Sequence, residues 1–305
     1  MPTFRILSNS KLEEVKETSF TSEGEIQKLT EANLSTIFGL QFVRSEFFLH
    51  NLRVDTLSFN QETKSFVIIE YKKGENYSVI DQGYAYLALL LNNKADFVLE
   101  YNSNTSANLK KDDIDWKQSR VIFVSPYFTK YQKQAMNFRD LPMELWEVHR
   151  YGNGTVSFNQ ILSPDAVASI SSIAQKSELV KTVSKEVEVY SEDYHRNMGS
   201  EEMLELYDRL RAKILELGDD IKVRPTKVYI SFKRRTNFTD IEIHKSKVKV
   251  HFNAKWGQLK DPEGMARNVK SIGHWGVGDY EVDISAPSDV ERVMYLVKQA
   301  YDLRS

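Results

Sequence analysis

Two strand-like runs joined by a short polar stretch constrain the fold of this 305-residue chain more than any other feature. Residues 53–59 and 66–73 are rich in β-branched and aromatic side chains, which favour strands. The stretch between them, NQETKS, is polar throughout. Two such runs with a short polar connection predict an antiparallel hairpin. In the second run the charged residues follow the apolar part instead of alternating with it, which is typical of a strand buried on both faces.

Three charged side chains meet at one end of this predicted hairpin. Glu70 and Lys72 are two residues apart, so an extended strand places them on the same face. If the hairpin turns symmetrically within residues 60–65, Asp55 pairs across from Glu70. The result is a small patch of two carboxylates and one ammonium group, and carboxylate oxygens suit Mg²⁺. The alternative interpretation is a surface ion-pair cluster, but the apolar strand that precedes the charges favours an active site.

Two predicted helices flank the hairpin and bring further polar side chains towards the patch. The first, residues 22–38, carries Glu31 at the edge of its apolar face. The second, residues 78–91, carries Gln82 and Tyr86, which are four residues apart and therefore share a face. This pair is placed to contact a substrate backbone or to fix a water molecule. Glu31 is equally consistent with a solvated helix acid, and Tyr86 with a core residue.

The order of these residues resembles the PD-(D/E)XK, or restriction-endonuclease-like, nuclease superfamily over about residues 22–126. In that family a helix bearing an acid leads into a hairpin with D and E-x-K. A helix with Q-x-x-x-Y follows in the RecB-like members. The chain has Val54 where the family motif has Pro, a departure that the family tolerates. The residues that carry the resemblance are Glu31, Asp55, Glu70, Lys72, Gln82 and Tyr86.

The resemblance implies a fold and a chemistry. The fold is α/β, with a restriction-endonuclease-like mixed central sheet flanked by helices. The chemistry is hydrolysis of DNA phosphodiester bonds by an endonuclease of restriction, repair or defence, with Mg²⁺ or Mn²⁺ as cofactor. The alternative is a non-catalytic nucleic-acid-binding or scaffolding protein that retains the nuclease fold.

The resemblance also implies a role for each residue. Asp55 and Glu70 hold the metal, and Glu31 assists them. Lys72 activates the attacking water. Gln82 acts as a further catalytic residue by positioning the substrate. Tyr86 also contacts the substrate.

A basic segment at residues 222–260 is hidden by the net charge of −2, because it holds eleven Lys or Arg residues against two acids. Phosphate contacts are local, so clustered charge matters more for DNA binding than the total charge. Lys233, Arg234 and Arg235 are its strongest part because three cations meet at a predicted turn. We expect these residues to bind DNA or, alternatively, to form a solvated edge that discourages aggregation.

Composition divides the chain into two predicted domains. Residues 1–162 form the nuclease-like domain, residues 163–200 form a linker rich in Ser, Lys and Glu, and residues 201–305 form a smaller α+β domain. The stretches YISFKRRTNFTDIEIHKSKVKVHF and GHWGVGDYEVDIS of the C-terminal part resemble an uncharacterised bacterial domain that accompanies nuclease-like domains. We expect an accessory substrate or partner module there.

Hydrophobic periodicity predicts the remaining elements. Beyond the first hairpin, the predicted strands are 120–124, 227–233, 239–244, 247–253 and 280–284, the predicted helices are 130–138, 201–217, 262–269 and 288–303, a second hairpin is 145–158, and a Gly-rich turn is 273–278.

Several classes of site and location are excluded by composition. The chain has no cysteine, which excludes disulfides, cysteine-ligated zinc and a thiol nucleophile. His244, His251 and His274 lack the spacing of metal ligands, which favours structural or surface roles. No run approaches the roughly 18 apolar residues of a membrane helix, and the start lacks the apolar core of a signal peptide. We therefore expect a cytoplasmic protein. Two cuts in a duplex need two sites, so we also expect a homodimer.

Overall fold

The chain divides into two compact units, Met1–Val189 and Tyr190–Ser305. The division falls within the predicted linker. Within that linker, residues 178–186 form a short helix of unit 1 and residues 192–196 a short helix of unit 2, while residues 163–176 lie outside the described residues. The computed structural model describes residues 2–8, 10–50, 52–74, 78–136, 138, 140–162, 177–272 and 276–304.

Unit 1, as far as it is described, is built on a seven-stranded sheet with the order β3-β8-β7-β6-β5-β4 and with β9 beside β8. The pairs β6–β7 and β7–β8 are parallel and the other pairs are antiparallel, so the sheet is mixed. A separate hairpin, β1–β2, precedes it. The strands are β1 (Phe4–Ile6), β2 (Leu12–Glu14), β3 (Glu17–Thr18), β4 (Gln41–Leu49), β5 (Leu52–Asn60), β6 (Ser65–Tyr71), β7 (Arg120–Ser125), β8 (Met143–Tyr151) and β9 (Val156–Gln160).

Helices cover both faces of this sheet, and its central strands β6 and β7 are buried at every residue. Phe66 and Ile68 belong to the apolar cluster shared with α3 and α4. Val67 and Ile69 point to the opposite face, in the cluster shared with α1 and α2. The helices are α1 (Glu23–Glu31), α2 (Leu34–Phe38), α3 (Val79–Asn92), α4 (Lys94–Thr105), α5 (Lys130–Ala135) and α6 (Glu178–Glu186), with 3₁₀ turns at Lys111–Asp113 and Trp116–Gln118.

The predicted hairpin is confirmed as the antiparallel pair β5–β6. The predicted helix 22–38 is wrong as a single helix, because α1 stops after Glu31 and α2 starts at Leu34. It ends as expected at Gly39, which has a left-handed backbone with a φ of 67°. The sequence pattern gave no sign of α4, which buries only Phe97 and Tyr101 and leaves the apolar Leu99 exposed.

The described residues of unit 2 form a six-stranded antiparallel sheet with the order β10-β11-β12-β13-β15-β14. Two helices, α8 and α9, pack on its apolar face. The predicted helix 262–269 is wrong: its end forms strand β14, and Gly264 before it has a φ of 64°, which a helix does not allow. The elements are α7 (Glu192–Arg196), α8 (Glu201–Leu215), β10 (Lys222–Pro225), β11 (Ile230–Lys233), β12 (Asn237–Ile243), β13 (Val248–Phe252), β14 (Arg267–Asn268), β15 (Tyr280–Ile284) and α9 (Asp289–Asp302).

The predicted fold class is therefore confirmed: an α/β unit with a mixed central sheet flanked by helices, followed by a smaller α+β unit. A search of the described helices finds none with the length and apolar character that a bilayer crossing requires.

Candidate active site

The candidate site lies where β5 and β6 separate at the end of their shared ladder. The last paired residues there are Thr56 and Ile69, so the next step along the register places Asp55 beside Glu70. One oxygen of the Asp55 carboxylate, Oδ2, accepts the backbone N–H of Tyr71 at 3.2 Å. Asp55 and Glu70 are only 6% and 3% exposed, so two carboxyl groups are held together away from bulk water.

The two oxygens of Glu70 have different surroundings. Its Oε1 accepts from Lys72 Nζ at 2.6 Å and from Gln82 Nε2 at 2.9 Å. Its Oε2 is buried and has no hydrogen-bond partner among the described residues. A buried charged oxygen without a partner is costly. The hydrogen bonds of the described residues therefore satisfy one oxygen of Glu70 and leave the other without compensation.

The pKa of Asp55 is raised to about 6, chiefly by burial and next by the neighbouring charge of Glu70. The Tyr71 N–H and the cations Lys72 and Arg53 act against this rise. Two adjacent carboxyl groups that both lose water favour the binding of a cation, because a cation stabilises negative charge at that place.

Helix α3 supports the site through its Q-x-x-x-Y pair. Besides its bond to Glu70, Gln82 donates to Tyr86 Oη at 3.0 Å, and Tyr86 Oη donates to the Arg53 carbonyl at 3.0 Å. Tyr86 is 5% exposed, and burial raises its pKa. The polar atoms of both side chains thus make bonds within the protein, which ties α3 to β6 and to β5. In this structure the pair holds other site residues in place.

Glu31 does not join the two carboxylates. Its Oε1 accepts from Thr56 Oγ1 at 2.6 Å and from Gln27 Nε2 at 3.0 Å. Successive strand side chains project to opposite faces, so contact with Thr56 places Glu31 on the other side of the strand from the Asp55 carboxylate. Within the described residues there is no group of three or more His, Asp or Glu side chains that could hold a metal ion.

Two neighbours of the site were missed by the sequence reasoning, Arg53 and Glu46. Arg53 Nη1 lies 3.0 Å from Glu46 Oε2, and its Nη2 lies 3.4 Å from Asp55 Oδ1. Alternation along β5 could have identified Arg53, because it stands two residues before Asp55. Glu46 gives no such signal: it lies in β4 and has a φ of 51°, a left-handed conformation that is uncommon outside glycine.

Cations of the basic segment in unit 2 are partly neutralised within that unit. Arg234 Nε lies 2.6 Å from Asp220 Oδ2, and its guanidinium stacks over the Tyr301 ring at 4.6 Å. Of the other two predicted DNA contacts, Lys233 is half-buried at the end of β11 and Arg235 is exposed. These contacts favour a structural role for Arg234. A role for the three cations in DNA binding stays a prediction.

Two predicted surface or structural histidines are described, and one is not. His251 is fully buried and its Nε2 lies 2.9 Å from Glu242 Oε1, while the half-exposed His244 lies 3.3 Å from Glu242 Oε2. His274 and part of the predicted Gly-rich turn lie outside the described residues.

A relative of nearly the same length exists in Haemophilus influenzae. This chain is 44% identical over 289 residues to an uncharacterized protein of that organism, which covers 95% of this chain and 96% of the relative. The chain belongs to the family of that protein. Residues 191–304 also match a domain of unknown function, DUF5655, in agreement with the expected resemblance of the C-terminal part to an uncharacterised domain.

Three solved structures share distant similarity with the chain. The EndoMS–dsDNA complex is 20% identical with a TM-score of 0.27, over 40% of this chain and 43% of that one. A repair endonuclease from Pyrococcus abyssi is 19% identical with a TM-score of 0.22, over 40% and 45%. SfsA of Pyrococcus furiosus in complex with Ca²⁺ is 11% identical with a TM-score of 0.25, over 50% and 78%. The matches thus span less than half of the first two proteins, and similarity this distant supports no functional conclusion.

Proposed function

We propose that unit 1 hydrolyses phosphodiester bonds of DNA with Mg²⁺ or Mn²⁺ held by Asp55 and Glu70. The observation that carries this proposal is the buried Glu70 Oε2, which has no hydrogen-bond partner among the described residues and lies beside a second buried carboxyl group. Such a donor set of carboxylate oxygens fits Mg²⁺, which takes one or two carboxylates and completes its shell with water and phosphate oxygens.

The site residues divide the work between holding and proton transfer. The metal ion, when bound, neutralises charge on the phosphate and activates water. Lys72, with its ammonium on Glu70 Oε1, is placed to orient the attacking water, and it takes a proton from that water after releasing its own proton to solvent. Gln82 donates a hydrogen bond to the same oxygen, Oε1, which restricts rotation of the Glu70 carboxylate. Oε2 therefore stays available to the proposed metal ion.

The biological setting in this proposal follows from the motif order of the PD-(D/E)XK resemblance. It is an endonuclease of restriction, repair or defence in the cytoplasm, and a homodimer would supply the two sites that a double-strand cut requires. Glu31 enters as a residue that supports β5 through Thr56, since its described contacts do not include either carboxylate.

A nuclease assay on linear, circular, single-stranded and branched DNA with Mg²⁺ or Mn²⁺ tests the proposal. We expect Asp55→Ala and Glu70→Ala each to reduce cutting by more than about a hundredfold, since even indirect partners of metal ligands contribute 10–100-fold. Glu144→Ala is a matched control, because Glu144 is a mostly buried acid of the same sheet that contacts Arg120, Trp146 and Gln160, none of which is a site residue.

Metal-dependent cutting that survives both site substitutions would exclude these ligands. A wild-type protein that binds DNA and cuts none of the substrates would favour the alternative, a binding or scaffolding protein with a nuclease fold.

A further inference from the structure

Arg53 is an exposed cation at the edge of the carboxylate pair. It precedes Asp55 by two residues on β5, and its side chain is 52% exposed, against 9% for Asp55 and 4% for Glu70. The other site cation, Lys72, is 18% exposed and already lies 2.6 Å from Glu70. Arg53 is therefore the cation of this cluster that a large anionic substrate reaches first.

The contacts of Arg53 leave most of its binding capacity unused. A guanidinium has five N–H donors. In the described part of the chain, two of its nitrogens contact carboxylates, Nη1 at Glu46 and Nη2 at Asp55. The 3.4 Å separation from Asp55 exceeds the 2.7–2.9 Å that is usual for a charge-assisted hydrogen bond. The bond to Asp55 is thus weak enough to exchange for a better acceptor.

The backbone of Arg53 is fixed more firmly than its side chain. Its carbonyl accepts the hydroxyl of the buried Tyr86 at 3.0 Å, and Tyr86 is held in turn by Gln82. The same relay reaches Glu70 through Gln82. The base of the Arg53 side chain is therefore fixed relative to the carboxylates, while the side chain itself is 52% exposed and accessible to a ligand.

We propose that Arg53 binds a backbone phosphate of the DNA strand in this site and leaves Asp55 when it does so. This inference rests on the proposed function. A guanidinium group binds a phosphate through two parallel hydrogen bonds. Without such a cation, the two carboxylates of the site would repel the phosphate. Departure of Arg53 also frees Asp55 Oδ1, so substrate binding and cation binding at Asp55 favour each other.

The salt dependence of DNA binding tests this role directly. Anisotropy of labelled duplex and single-stranded DNA is measured over a range of KCl concentrations with the full chain, at a fixed concentration of Ca²⁺, which takes the same oxygen ligands. We expect Arg53→Gln to weaken binding on the order of tenfold. The slope of log K against log salt should fall by about 0.9 for duplex or about 0.7 for a single strand, the loss of one phosphate contact.

Two further variants separate a phosphate contact from a general effect. Arg53→Lys keeps the positive charge but loses the two parallel hydrogen bonds of the guanidinium. Its salt slope should therefore equal that of the wild type, while its affinity should lie between those of Arg53→Gln and the wild type. Arg44→Gln is the matched control, because Arg44 lies on the neighbouring strand β4, is 53% exposed and is also paired with an acid, Glu100 at 3.5 Å. It should leave the slope unchanged.

An unchanged slope in Arg53→Gln, an equal fall in Arg44→Gln, or no DNA binding by the wild type would each overturn the role of Arg53. Failure of the proposed hydrolysis is distinguishable, because it shows in the cutting assay with Asp55→Ala and leaves the binding slopes to report on Arg53. If cutting requires Asp55 but the KM and the salt slope are the same in wild type and Arg53→Gln, the proposed role of Arg53 is wrong and the proposed hydrolysis stands.

Discussion

The two carboxylate oxygens of Glu70 have unequal hydrogen bonding, which bears on the proposed metal binding. Lys72 and Gln82 both bind its Oε1, and Oε2 is left buried without a partner among the described residues. If the carboxylate rotated freely, its two hydrogen-bond donors, Lys72 and Gln82, would be shared between both oxygens. Fixing Oε1 keeps Oε2 available but lowers the folding stability, and a bound cation would offset that loss.

Tyr86→Phe tests whether the α3 relay positions the site. The change removes the bond from Gln82 and leaves the Arg53 carbonyl without its donor, so we expect unfolding to become easier by about 1–3 kcal/mol and the DNA-cutting kcat to fall. Tyr71→Phe is the control: Tyr71 is equally buried, but its hydroxyl bonds Thr56 on the opposite face. Kinetics and urea unfolding should show a similar stability loss without the fall in kcat, and equal kcat values in the two variants would refute a positioning role.

At the scale of elements, the edge strand β4 has an irregular backbone. Its register with β5 shifts between Phe42 and Arg44, and the backbone of Glu46 is left-handed. Bulges of this kind re-aim side chains near functional sites. Here the irregular stretch is the one that places Glu46 against Arg53.

In unit 2, the turn before β15 depends on Gly278, which has a φ of 81°. A Cβ there would lie 2.1 Å from the Phe252 carbonyl oxygen and 2.6 Å from the Ala254 nitrogen, and backbone atoms cannot move aside. We expect Gly278→Ala to destabilise unit 2 by more than about 3 kcal/mol. Gly264→Ala, with a φ of 64° and open space around it, should lose only about 1–2 kcal/mol. Chemical denaturation that gives equal losses would contradict this explanation.

At the scale of the whole molecule, we expect the carboxylate pair to couple the proposed metal binding to folding. At neutral pH and without metal, ionised Asp55 destabilises the fold, because burial and Glu70 raise its pKa to about 6. We therefore expect Asp55→Asn to stabilise the metal-free protein by about 1–3 kcal/mol at pH 7.5. The gain should shrink as the pH falls from about 6 to about 4, where the folded carboxyl binds a proton that the unfolded one does not.

The Asp55→Asn variant also tests how Mg²⁺ changes the thermal stability of the protein. Calorimetry should show that Mg²⁺ raises the Tm of the wild-type unit 1, by about 2–4 °C for each kcal/mol of binding energy, and leaves Asp55→Asn unchanged. An equal rise in both proteins would mean that the cation binds elsewhere.

Local periodicity was enough to predict much of the candidate site. The two-residue period of strands places Glu70 and Lys72 on one face, a symmetric hairpin brings Asp55 beside Glu70, and the helical period aligns Gln82 with Tyr86. These relations depend on residues close in sequence or joined by a short turn, so the amino-acid sequence determines them by itself.

Only the tertiary structure decided which distant groups complete the site. Glu31 was expected at the metal but bonds Thr56, since helix α1 packs on the other face of the sheet. Arg53 acquires its partner Glu46 from an edge strand with an irregular backbone, and Arg234 pairs with Asp220, an acid outside the basic segment. Each of these contacts joins different elements, and the way those elements pack is set by the core as a whole. The periodicity of a single element cannot predict that packing.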